Sequence, residues 1–91
     1  MSPTTTVSYV QETNELGRAF ADVLKQRIRD RYPSQNEFFR VHGIDKRNFW
    51  TIAENKPQLT WIFEVAALLD VEPAVLIADA TRLLAERKAT Q

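Results

Sequence analysis

Residues Gln35–Glu54 read QNEFFRVHGIDKRNFWTIAE, and the corner in the middle of this stretch decides the fold. Before the corner, Phe38, Phe39 and Val41 crowd the apolar side of a short helix. Gly43 stands at the corner and is one of only two glycines in the chain. A glycine there accepts the left-handed backbone that ends a helix and turns the chain. After it, Ile44, Phe49 and Ile52 carry the apolar stripe down a second helix, while Asp45, Lys46, Arg47, Asn48, Trp50 and Thr51 point elsewhere. Two helices joined by a short glycine turn make a helix-turn-helix, whose second helix can enter a DNA major groove. Phe39, Gly43, Phe49 and Ile52 are the expected core of that unit.

The flanks supply the helix punctuation. Ser34 is a good N-cap for the first of the two helices, with Glu37 three residues on completing a capping box. Asp45 is the natural N-cap of the second, which runs from Lys46 to about Glu54. Upstream, Leu16, Phe20, Val23, Leu24 and Ile28 recur at steps of three and four, so Asn14 to about Arg31 reads as an amphipathic helix. Gly17 inside it costs roughly 1 kcal/mol relative to Ala, and close approach of another helix is a reason for it. Tyr32-Pro33 ends that helix, because the residue before proline avoids the helical region. Downstream, Asn55-Lys56-Pro57 breaks the chain. A fourth helix runs from Leu59 or Thr60 to Leu69 on Ile62, Val65, Ala66 and Leu69. Pro73 opens a fifth helix, which reaches about Arg87. Leu76, Ala80, Leu83 and Arg87 line one face of it, and Ile77 and Leu84 the adjoining one. Ser8, Thr13 and Asn14 are competing caps at the start, so residues 1–13 are expected to be a flexible segment, 14–88 the folded domain and 89–91 a frayed end. The expected fold is all-α, a compact five-helix bundle, with Phe20, Phe38, Phe39, Phe49, Trp61 and Phe63 supplying much of the core volume.

The chain carries twelve Lys/Arg and twelve Asp/Glu, a formal charge of zero, which argues against nucleic acid until its distribution is read. From Arg18 to Lys56 there are nine bases against five acids, whereas the first seventeen residues hold two acids and no base. A basic middle between acidic ends suits a protein of which one face meets phosphate. With no cysteine and one histidine, His42, neither a disulfide nor a transition-metal site is expected. His42 reads as a surface or capping residue. No nucleophile sits beside a base and no glycine loop cradles phosphate, so no catalytic residues and no cofactor are expected. The absence of cysteine, of a signal peptide and of a run of about 20 apolar residues points to a cytoplasmic protein with no membrane partner. No small-molecule effector site is evident.

In this order of helices the sequence resembles the Cro/repressor-type (XRE) helix-turn-helix family. The residues that carry the resemblance are Ser34-Gln35, Gly43-Ile44-Asp45, Phe49, Ile52-Ala53-Glu54, Pro57-Gln58-Leu59, Ile62, Val65-Ala66, Leu69 and Val71-Glu72-Pro73. The resemblance spans about Leu16 to Leu84 and implies a lambda repressor-like DNA-binding domain, often dimeric, acting as a phage- or bacterial-type transcriptional repressor. Three positions depart from the family pattern. Phe39 stands where the family has a small residue at the tight helix contact. Trp50 replaces a small polar residue facing DNA. Glu54-Asn55-Lys56 lacks the family's glycine, for which Asn55 can substitute in a left-handed cap.

The second helix carries the expected chemistry. Residues four apart share a helix face, so Lys46 pairs with Trp50 and Arg47 with Thr51. Arg47 can hold a guanine edge with two hydrogen bonds, Lys46 can reach a guanine or a phosphate, and Thr51 can meet a thymine methyl. Trp50 can press on a sugar or a thymine methyl. Ser34, Gln35, Asn55 and Lys56 are the phosphate candidates. Each has a plainer reading: Lys46 and Arg47 as a solvated helix start, Gln35 as a polar helix-start residue, Trp50 as a residue packed under the first or fourth helix. The expected partner is double-stranded DNA, with a homodimer through helix 73–88 as a separate expectation. The alternative function is a protein-interaction module, antirepressor-like, anchored by an exposed Trp50.

Overall fold

The computed structural model describes residues 3–89, and side chains from residue 14 onward. Five helices follow one another: α1 (Pro3–Arg31), α2 (Gln35–His42), α3 (Lys46–Glu54), α4 (Leu59–Leu68) and α5 (Pro73–Ala89), with no strand among the described residues. α1 is the central element. It meets α2, α3 and α5, and α4 packs on α5. At 29 residues, α1 is about 43 Å long by the helical rise, which accounts for the elongated 48 × 24 × 21 Å outline. No helix among the described residues is long and apolar enough to cross a membrane.

The start of α1 differs from the sequence expectation. The helix is continuous from Pro3, through the caps expected at Ser8, Thr13 or Asn14. The physical reason is the absence of a breaker: no proline or glycine stands between Thr4 and Leu16, and a proline is well tolerated in a first helical turn. Residues 1–2 and 90–91 lie outside the described residues, and so does most of the end expected to fray. Ala89 closes α5.

Phe20, Val23, Leu24 and Ile28 of α1 are buried, as their spacing predicts, together with Ala19 and Ala21. Leu16 is not; it stays 37% exposed. Its neighbour Gly17 takes the inward position instead. A Cβ on Gly17 would stand 2.3 Å from the Glu54 carbonyl oxygen and 3.0 Å from its carbon. Close approach of α3 to α1 is therefore what this glycine permits.

α2 ends in a Schellman turn. The Gly43 N–H donates to Arg40 O and the Ile44 N–H to Phe39 O, and Gly43 takes φ 63°. Three residues, Gly43 to Asp45, then separate α2 from α3, whose N-cap Asp45 accepts from the Arg47 N–H. α4 ends the same way without a glycine. Asp70 N–H donates to Ala67 O, Val71 N–H to Ala66 O, and Asp70 sits at φ 54°. The third left-handed residue is Lys56, φ 56°, whereas Asn55, expected to take the glycine-like cap, has φ −119°.

The aromatic core is built edge to face. Phe39 is 5% exposed, and its ring meets Phe38, Phe49 and Trp50 at 5.2, 5.1 and 5.8 Å between centroids. Such T-shaped pairs contribute about 0.5–1.5 kcal/mol beyond area burial, so the bulky residue at this helix contact has aromatic neighbours to accept it. Ile52 is half-buried. Trp61 is also half-buried, 5.1 Å from Phe49. Phe63 departs from the expected core: it is 54% exposed. It shares the outer face of α4 with Leu59 and Ala67, four residues to either side, away from Val65, Ala66 and Leu69.

Candidate nucleic-acid interface

The candidate site is the outer face of α3 and the start of α2. Both helices begin with a side-chain cap that holds them in place. Ser34 Oγ accepts from the Glu37 N–H at 3.2 Å, and Asp45 Oδ1 accepts from the Arg47 N–H at 3.2 Å. The two starts are tied together: Lys46 Nζ donates to Asn36 Oδ1 at 3.2 Å. Arg40 holds Glu37 by a charged fork. The Arg40 hydrogen bond holds the Glu37 carboxyl below its ordinary value of 4.5 against an opposing effect of desolvation, and the charge of Arg40 adds to the lowering.

On α3, Phe49 and Ala53 face inward and are buried. Lys46, Arg47, Asn48, Thr51 and Asn55 are exposed. Down the outside runs a ladder at four-residue steps. Thr51 Oγ1 donates to Arg47 O at 2.9 Å, and Asn55 Nδ2 donates to Thr51 O at 2.8 Å. The ladder fixes both side chains while leaving the Thr51 methyl and the Asn55 amide oxygen available. Arg47 and Lys56 make no ion pair among the described residues, in contrast to Arg27, Arg40, Arg82 and Arg87, each of which holds a carboxylate. Ser34 is exposed and Gln35 half-buried in the first turn of α2, where N–H groups not consumed by the helix can meet an anion.

Trp50 stands apart from this group. It is half-buried, its ring lies 4.8 Å from that of Phe49 and 5.8 Å from that of Phe39, and Lys25 Nζ of α1 sits over it at 5.3 Å from the centroid. The indole thus fills the flank between α3, α2 and α1. Lys46, four residues earlier, is exposed, so the two residues expected to pair differ in how far they are covered. His42, expected at the surface, is half-buried, shares a 2.8 Å hydrogen bond with the Tyr32 hydroxyl and meets the Phe38 ring edge-on at 5.0 Å. Asn36 and Asn48 lie on the candidate face and are not among the expected contact residues. The signal for Asn48 was its place one residue after Arg47; the Asn36–Lys46 bridge spans the corner and has no local signature.

Comparison of the chain with protein-family models, with curated proteins and with solved structures finds no match.

Proposed function

We propose that the chain is a regulator that binds double-stranded DNA, with α2, the Gly43 corner and α3 working as a helix-turn-helix and α3 reading the major groove. The observation that carries this reading is the outer face of α3. Two exposed cations, Lys46 and Arg47, stand at its start, Arg47 has no counter-ion among the described residues, and polar Thr51 and Asn55 continue the same face. The resemblance to repressor-type domains points the same way. In this reading Arg47 and Lys46 contact base edges, Thr51 offers its methyl, and Ser34, Gln35, Asn55 and Lys56 meet phosphates. A bidentate arginine–guanine pair supplies about 1–3 kcal/mol of discrimination. In this reading Trp50 seats α3, and the protein-binding alternative would rest on the part of the half-buried indole that stays open. The chain acts by binding and not by catalysis, inside the cell. A homodimer through α5 would set two copies of α3 about 34 Å apart on a palindromic site.

The test is selection of binding sites from a random duplex pool, followed by anisotropy on the winners at two salt concentrations. The expected result is an enriched motif whose affinity falls steeply with salt, since each neutralised phosphate releases counterions. Lys46→Ala/Arg47→Ala should weaken binding by about two orders of magnitude, the sum of two base or phosphate contacts. No enrichment and no binding at low salt would overturn the reading.

A further inference from the structure

A second concave surface lies on the other side of Gly17. Leu16 and Phe20 of α1, Pro57 before α4, Ile62 of α4 and Ile77 of α5 wall a groove of about 290 Å³, floored by Gly17 and Ala80. Leu16 and Ile77 are left 37% and 42% exposed on its walls. Among the described residues, the lining holds one charged residue, Lys56, and no acid. Lys56 is exposed, makes no hydrogen bond or ion pair among the described residues, and sits at φ 56°, a conformation that a lysine adopts only at a cost.

We propose that this groove binds a small amphipathic carboxylate, its apolar body between Leu16 and Ile77 and its carboxylate on Lys56. The volume is near the lower end of the range of about 300–1,000 Å³ for small-ligand clefts, which are likewise apolar with few convergent polar groups. The charge settles the head group: one cation with no acid in the lining favours a single negative charge and opposes an amine. A second copy of the chain fits less well. A stable dimer covers about 800 Å² per partner, and the exposed large apolar side chains of α5 are only Val75 and Ile77 among the described residues. Four other clefts among the described residues have more polar linings. The one between α1 and α5 is lined by charges already paired, Arg27 Nη2 donating to Asp79 Oδ2 at 2.8 Å and Arg82 Nη2 to Asp79 Oδ1 at 3.0 Å.

The experiment titrates the isotope-labelled full chain with octanoate below its micellar range, with octanol and octylamine as head-group controls and no DNA present, so it stands or falls apart from DNA reading. Octanoate should shift the amides of Leu16, Lys56, Ile77 and Ala80 saturably, and octanol and octylamine should bind at least about fivefold more weakly, the scale of one favourable ion pair. Lys56→Gly suits the left-handed backbone and so keeps the fold, as a thermal melt will verify. It should weaken octanoate by a similar factor and leave octanol unchanged. Ile77→Ser should weaken both. Absence of saturable shifts at these residues, equal affinity for octanol and octanoate, or an unaffected Lys56→Gly protein would overturn the proposal. So would shifts at the same amides on simple dilution, which would place a second copy in the groove.

Discussion

Helices α3 and α4 are sequence neighbours of similar length, and both press apolar side chains inward: Phe49 and Ala53 from one, Val65 and Ala66 from the other. Their outer faces are opposites. α3 shows Lys46, Arg47, Asn48 and Thr51 to solvent, with no large apolar side chain among them. α4 shows Leu59, 64% exposed, and Phe63, 54% exposed, in a run from Pro57 to Thr81 that has no Lys, Arg or His and four acids. A net charge of zero therefore conceals two surfaces of different chemistry. Attraction to a polyanion depends on the sign of the face presented to it, and the neutral total says little about either face.

The sharpest way to break the comparison is to unseat α3. Gly17→Val drives a branched side chain into the Glu54 carbonyl, against backbone that cannot rotate away. The expected cost is about 3 kcal/mol, at the top of the overpacking range, read in a thermal melt as roughly 4–8 °C per kcal/mol for a domain of this size. On the proposed function, DNA affinity should fall with it, because the seat of α3 has moved.

The next test sets one aromatic of α3 against one of α4. Trp50→Ala removes a half-buried ring with an Lys25 cation on it; about 2 kcal/mol is expected, below the 3–5 kcal/mol of a fully buried aromatic. Phe63→Ser on the outer face of α4 should stay within about 0.5 kcal/mol. Equal costs in denaturant melts would contradict the packing described.

The two Schellman corners supply a smaller contrast. Gly43 meets the left-handed requirement without strain, while Asp70 carries a Cβ into it. Asp70→Gly should stabilise by about 0.5 kcal/mol, since the Arg31–Asp70 pair it removes is highly exposed and such pairs contribute little. The smallest effect is on pH. The Glu37 pKa is depressed on folding by Arg40, so its contribution is present above the unfolded value near 4.5 and is lost as pH falls through the lower folded value. Arg40→Gln should return the Glu37 titration, followed by NMR, toward 4.5.

Most of the helical frame was legible because its signals are local. Ser34, Asp45 and Gly43 cap or turn the chain through bonds to residues two to five positions away, and Pro33 and Pro57 act on their own neighbours. The Gly17 contact was legible as an anomaly, a glycine where alanine would be better. What escaped depends on partners distant in sequence. The Trp50 ring is decided by Lys25 on α1 and Phe39 on α2. The exposure of Phe63 follows from which side of α4 meets α5, and an apolar run such as Trp61-Ile62-Phe63 does not reveal that by periodicity. His42 found Tyr32 across the Pro33 turn. The left-handed residue after α3 is Lys56 and not Asn55, whose side-chain amide donates back to Thr51 O.

DNA binding through α3 is tested by an amide chemical-shift map of the labelled chain with the selected DNA duplex. Shifts are expected at 34–36, 46–51 and 55–56, with Leu59 and Phe63 on the outer face of α4 undisturbed. Shifts centred on Leu59 and Phe63, or none on α3, would contradict it.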